Sequence, residues 1–213
     1  EVKVLGIVFS PRRNGNTEII VREALEGARE AGAETELITT RDYKINPCDG
    51  CGACHKTGVC HINDDMQIMY KKLLEADGII FGTPVYFWQM CAQAKIFIDR
   101  TYALTFPNLK LSNKVAAAIA VAGRTGAVET LNFFTRYFIS NHMICAESVE
   151  GLAYEKGSIV NDERGMKAAR ELGKQIVLMI KHGNRFPEEH DIPLYRIAQE
   201  RYGASRYPKP SKQ

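Results

Sequence analysis

An α/β fold, with a parallel sheet covered by helices on both faces, is predicted by three features of this 213-residue sequence. Short apolar runs rich in β-branched residues recur along the chain. Each is followed by a segment with helical periodicity, and this alternation is repeated five times. A polar loop, an aromatic loop and a glycine-bearing loop follow the first, third and fourth apolar runs, where an open α/β sheet places its ligand-binding edge. The chain is long enough for one sizeable core.

Residues 2–9 (VKVLGIVF) read as a strand buried on both faces and lead directly into Ser10-Pro11-Arg12-Arg13-Asn14-Gly15-Asn16-Thr17. The helix that follows presents Ile19, Ile20, Ala24, Leu25 and Ala28 on one face and ends near Gly32. Strand, polar loop and helix N-terminus together suit an anion, because free N–H groups and the helix dipole converge there. No G-K-[ST] and no G-x-G-x-x-G occurs, so a single terminal phosphate fits better than a dinucleotide pyrophosphate. The plainer reading is a helix capped by Asn16 or Thr17.

Residues 34–39 read as the second strand. A helix capped by Asp64 or Asp65 runs through Met66, Ile68, Met69, Leu73 and Leu74 to Asp77-Gly78. Residues 78–83 (GIIFGT) form the third strand, which ends at Pro84-Val85-Tyr86-Phe87-Trp88. Aromatic faces at that edge suit a planar ring, although core or interface packing also explains them. Residues 91–102 are helical, with Lys95, Asp99 and Arg100 as polar neighbours of an apolar face. The fourth strand, 114–121, is apolar throughout and ends in Ala122-Gly123-Arg124-Thr125-Gly126. A helix over 130–140, a fifth strand over 143–149 and a helix capped by Asn161 or Asp162 complete the pattern. The last helix carries Ala168, Leu172, Ile176, Met179 and Ile180 on its apolar face.

Between the second strand and the next helix lies Cys48-Asp49-Gly50-Cys51-Gly52-Ala53-Cys54, continuing to Cys60. Four of the six cysteines thus fall in one C-x2-C-x2-C-x5-C loop. Short turns can aim successive thiolates at one iron–sulfur cluster, with glycines allowing positive φ. Zinc remains open because His55 and His61 follow Cys54 and Cys60, and reactive thiols are a third reading. An N-terminus that enters a strand at once predicts no signal peptide and a reducing cytoplasm, which disfavours disulfides. Cys91 reads as a buried helix residue and Cys145 as core, while the two histidines read as solvated.

A net charge of +3 without a basic aromatic stripe predicts no nucleic-acid partner. No apolar run is long enough to cross a membrane. Residues 1–183, including the cysteine loop at 47–62, are read as one domain. Residues 184–213 are read as an arm for subunit contacts, and a short helix is expected near 194–202.

The Ser10–Thr17 loop, the run from Asp65 to Leu74 and Gly82-Thr83-Pro84-Val85-Tyr86-Phe87-Trp88 resemble the flavodoxin-like NAD(P)H-dependent FMN reductase superfamily, and the cysteine run resembles its iron–sulfur flavoprotein branch. The resemblance implies a flavodoxin-like five-stranded parallel sheet of order 2-1-3-4-5, FMN and one [4Fe-4S] cluster. It implies that Ser10, Arg12, Asn16 and Thr17 hold the FMN phosphate. Pro84, Val85, Tyr86, Phe87 and Trp88 would line the ring, with Gly123, Arg124 and Gly126 in the second flavin loop. Cys48, Cys51, Cys54 and Cys60 would be the cluster ligands. Electrons would pass from a ferredoxin-like donor through the cluster to FMN and on to oxygen, peroxide or a quinone, in a homodimer or homotetramer. No acid or base residue is required by such chemistry. The competing readings are an NAD(P)H-dependent FMN or quinone reductase without a functional cluster, and a non-catalytic redox carrier or sensor.

Overall fold

A computed structural model describes residues 1–106 and 108–186. In chain order the elements are β1 (Lys3–Val8), α1 (Asn16–Glu30), β2 (Glu34–Thr39), α2 (Ala53–Thr57), α3 (Met66–Glu75), β3 (Gly78–Tyr86) and β4 (Gln89–Met90). They continue with α4 (Ala92–Arg100), α5 (Tyr102–Thr105), β5 (Val115–Ala122), α6 (Ala127–Ser140), β6 (Ile144–Cys145), β7 (Val149–Leu152) and α7 (Glu163–His182). The sheet order is β2-β1-β3-β5-β6, with β7 also pairing β5 and β4 pairing β3. All of these pairs are parallel except β3–β4. This is the expected 2-1-3-4-5 order, with the small β4 hairpin added and the fifth strand in two pieces.

Alternation along β1 divides the core. Leu5, Ile7 and Phe9 pack on the face covered by α3, α4 and α6. Val4 and Val8 face α1 and α7. Every residue of β5 is buried, and its alanines leave room for helices on both sides. The α1–α7 crossing is tight: a Cβ on Gly173 would fall 1.8 Å from the Ala24 carbonyl oxygen.

Several expectations need correction. The fifth strand is not continuous over 143–149. Ala116 stands opposite Cys145 and Ile119 opposite Val149, so residues 146–148 face only Ala117 and Ala118. That one-residue excess is a bulge on an edge strand, and it carries the paired strand on to Leu152. The helix expected over 91–102 ends at Arg100, followed by the single turn of α5. In α7 the buried alanine is Ala169, whereas Ala168 is exposed. Helix α1 starts at Asn16 with Gly15 as its cap, and no side chain caps it. Asp162 does cap α7, accepting from the Gly165 N–H. The helix expected over 194–202 lies outside the described residues. Phe186, near the start of the expected arm, stacks on His142 with ring centroids 4.1 Å apart.

Candidate functional site

The carboxyl ends of β1, β3 and β5 open into a cleft. Its inner part, of about 210 Å³, is lined by Ser10, Arg12, Asn16, Thr17, Pro84, Val85, Tyr86, Val121, Gly123, Ala153 and Tyr154. An outer part of about 500 Å³ shares Val85, Gly123 and Tyr154 and adds Phe87, Trp88, Arg124 and Thr125. The structure therefore brings together the three loops singled out in the sequence. Of their candidate residues only Gly126 is not on a wall, and it acts from behind one.

The inner end is built around the start of α1. Buried Glu18 accepts from the Asn14 N–H at 2.9 Å and is ion-paired to Arg22 at 2.9 Å and Arg41 at 3.0 Å. Burial alone would raise its pKa, but the hydrogen bonds from Arg22 and Asn14 and the charge of Arg41 together hold it below the ordinary value. Glu18 thereby fixes Asn14 at a φ of 51° and shapes the loop. Ser10 Oγ, itself buried, accepts the Arg12 N–H at 3.2 Å and keeps its own proton to donate. Among the described residues the Arg12 guanidinium has no ion-pair or hydrogen-bond partner, and neither has the N–H of Asn16 or Thr17. The Asn16 side chain is engaged elsewhere: Nδ2 donates to the Glu155 carbonyl at 2.8 Å, and Oδ1 accepts from the Ile159 N–H at 3.1 Å. It lashes the segment after β7, including Tyr154, to the start of α1.

The outer wall is a hairpin. Strand β3 runs three residues past Thr83, and Val85 and Tyr86 pair with Met90 and Gln89. Its two-residue turn is Phe87-Trp88, with φ of 48° and 60°. Positive φ at both positions matches a type I′ turn, which normally selects Asn and Gly. Two bulky aromatics there are held by their surroundings at a conformational cost. The holder is Gly126, at φ 99°, where a Cβ would meet Trp88 Cα at 2.7 Å. Phe87 is 94% exposed and Trp88 56%, so neither is a core residue.

The cysteine loop leaves the sheet after β2. Gly50, Gly52 and Gly58 all have φ near 70°, and the last two bracket α2. All six cysteines are free thiols. Burial raises the Cys54 pKa first, and the charges of Cys60, Cys48 and Cys51 raise it further. His55 and His61 are not simply solvated: His55 Nε2 lies 2.7 Å from the Tyr102 hydroxyl, and His61 Nε2 lies 2.6 Å from Asp49 Oδ2. Cys91 is buried beside Thr83, as expected, while Cys145 is only half-buried.

Tyr154, Ala153, Val121 and Thr125 are wall residues that sequence reasoning missed. Tyr154 follows the bulged strand and lies over Gly123.

A nucleotide-sized cleft at the carboxyl edge of a doubly wound parallel sheet, with Arg12 and Arg124 unpaired among the described residues at its two ends, defines a flavodoxin-like ligand-binding protein. Residues 2–153 match the NADPH-dependent FMN reductase family. The chain is 42% identical over 190 residues to the iron–sulfur flavoprotein MJ1083 of Methanocaldococcus jannaschii, covering 84% of this chain and 98% of that protein. It is 34% identical over 190 residues to an iron–sulfur flavoprotein of Archaeoglobus fulgidus, covering 84% and 97%. Among solved structures, the NAD(P)H:quinone oxidoreductase of Methanothermobacter marburgensis superposes with a TM-score of 0.68 at 16% identity, covering 83% of this chain and 99% of that one, and shares its fold. The chain belongs to the NADPH-dependent FMN reductase family, in its iron–sulfur flavoprotein branch, and is a flavin-dependent oxidoreductase.

Proposed function

We propose that this protein takes single electrons from a ferredoxin-like donor at a [4Fe-4S] cluster held by Cys48, Cys51, Cys54 and Cys60, and delivers them through FMN to oxygen, peroxide or a quinone. The observation that carries the reading is the occurrence of four free thiols in one loop of left-handed glycines, in a chain whose cleft carries two arginines without partners among the described residues. A cluster exchanges one electron at a time and FMN one or two, so the pair joins single-electron donors to two-electron acceptors.

Both donor sets fit their groups. At the inner end, Ser10 Oγ, the N–H groups of Asn16 and Thr17 and the Arg12 guanidinium would hold the phosphate. Asn16 positions Tyr154 and, through its main-chain N–H, serves the phosphate as well. Val85, Phe87, Trp88 and Tyr154 present apolar faces to the ring system, and Arg124 offers a cation at its edge. Gly123 and Gly126 keep both walls close. At the loop, Cys48 and Cys51 are exposed enough to meet a partner protein, while Cys54 and Cys60 are half-buried. The apolar rim formed by Phe87, Trp88, Leu152 and Tyr154 supports association with further copies of the chain.

The family match favours a second reading, in which a reduced nicotinamide supplies hydride directly to the flavin site. Anaerobic purification separates the two. About four iron and four sulfide per chain are expected, with turnover from a reduced ferredoxin. Iron-free protein with undiminished NADPH-driven turnover would overturn the cluster reading.

A further inference from the structure

The largest fully buried side chain among the described residues is a charged one, Arg100, at the end of α4. Its Nη1 donates to the Asn46 carbonyl and to Asp64 Oδ2, both at 2.7 Å, and Nη2 donates to Asp64 Oδ1 at 2.9 Å. Asp64 also accepts from the Asn46 N–H at 2.8 Å, from Asn46 Nδ2 at 3.2 Å and from the Met66 N–H at 3.0 Å. The Arg100 carbonyl takes the Tyr70 hydroxyl at 2.7 Å. Arg100 Nε, also buried, has no hydrogen-bond partner among the described residues.

The placement in the chain gives this cluster its meaning. Asn46 lies two residues before Cys48, and Asp64 lies four residues after Cys60. One guanidinium thus holds both ends of the cysteine loop, whereas within that loop three glycines leave the backbone loosely determined. Cys60 is half-buried and packs against the core cluster that contains Tyr70, whose hydroxyl the hub holds. The charged groups in the hub are Arg100 and Asp64, a fork-to-fork pair that leaves the Nε–H over. A buried ion pair is a poor way to gain stability, because apolar residues of similar size often serve as well or better. Its position at the loop's two ends supplies another reason for it.

We propose that Arg100 is the positioning residue of the cysteine site: by binding Asn46 and Asp64 at once it fixes the separation of the loop's ends, brings the four thiols together before any metal arrives, and leaves one buried N–H for sulfur. The inference rests on the cluster reading above for its last clause only. The end-to-end clamp is a property of the chain itself.

The test compares wild type, Arg100→Lys and the paired apolar replacement Arg100→Met with Asp64→Leu, all FMN-loaded. Lysine keeps the charge and loses the fork. Hydrogen exchange of residues 44–64 is read before anaerobic reconstitution, and iron per chain and the EPR-monitored midpoint potential are read afterwards. In both variants amides within the loop exchange about tenfold faster or more, FMN affinity stays within about twofold of wild type because Arg100 does not line that cleft, and bound iron falls by at least about half. In Arg100→Lys any cluster retained has a potential different from wild type, because the Nε–H is gone. Wild-type exchange and full iron in the paired replacement would refute the clamp. If Arg100→Lys loses FMN as well, the paired replacement decides. Wild type without iron but with faster loop exchange in the variants retains the clamp and removes the cluster.

Discussion

Gly126→Ala tests whether the outer wall of the cleft is held in place from behind. The new Cβ would lie 2.7 Å from Trp88 Cα and 2.9 Å from Val85 Cγ1, against an ordinary contact of 3.4 Å or more. The hairpin must therefore retreat by about 0.7 Å to restore contact. Its turn cannot relax cheaply, because Phe87 and Trp88 already sit at positive φ. Alanine at φ 99° adds strain of its own, about 1–2 kcal/mol, and overpacking costs about 1–3 kcal/mol. Together these predict a loss of about 2–5 kcal/mol of stability. A displaced wall also loses contact with the ring, and an affinity loss of about tenfold or more for FMN is expected, since each factor of ten is about 1.4 kcal/mol. Quenching of flavin fluorescence on titration into the flavin-free protein measures the affinity, and urea unfolding measures the stability. Gly50→Ala is the control: its φ is 69°, but its Cβ meets nothing within 4 Å. It should show strain without any change in FMN affinity. Equal FMN affinity in Gly126→Ala and wild type would refute the bracing role of Gly126.

Two further outcomes are expected. Arg12→Ala removes the unpaired guanidinium at the inner end of the cleft and should weaken FMN by about 10- to 100-fold, the worth of one charged hydrogen bond, while riboflavin, which lacks the phosphate, binds as before. Equal losses for both ligands would place Arg12 away from the phosphate. The second concerns acid. Although burial alone would raise the Asp64 pKa, the Arg100 fork and the N–H groups of Asn46 and Met66 lower it from 3.8 to about 2. A depressed carboxylate contributes stability above its unfolded pKa, and that contribution is lost as pH falls toward the folded value. It amounts to about 2 kcal/mol at 1.36 kcal/mol per unit, disappearing between about pH 4 and pH 2. Urea unfolding across that window should show the fall in wild type and a smaller one in Asp64→Asn; parallel curves would count against the pair.

Most of the sheet edge was legible because its signals are local. A β-branched run followed by Ser10-Pro11 marks the end of β1, and although β3 runs on past Thr83 to Tyr86, parallel strands with crossover helices place such ends on one edge. The hairpin was not legible, since Phe87-Trp88 carries none of the residues that mark a two-residue turn, and the Gly126 that accommodates it lies far along the chain. The bulge after Cys145 shifted the fifth strand for the same reason: register depends on the partner strand. Arg100 is the sharpest miss. Periodicity places it at a helix end among polar neighbours, and a terminal arginine is ordinarily solvated. Only the fold brings Asp64, 36 residues away, against it. Sequence spacing showed clustered thiols and nothing of what clusters them.

The two sites are anchored differently, and that difference bears on how they load. The flavin cleft rests on strand ends and helix α1, elements fixed by the core, so its donors are in place without ligand. The cysteine loop makes few core contacts, and its shape depends on one buried hub at its ends. Cys48 lines a separate cavity of about 500 Å³ with residues of α4, α5 and α6, and that cavity shares no residue with the flavin cleft. Sites without common partners respond additively to substitution. Arg12→Ala should therefore change flavin binding and leave iron content alone, while Arg100→Lys does the reverse. Combining them should give the sum of the two effects on stability within about 0.5 kcal/mol. A larger departure, measured by urea unfolding of the four proteins of that cycle, would mean that the loop and the cleft are mechanically joined through α1 or the sheet, and the independence argued from their linings would fail.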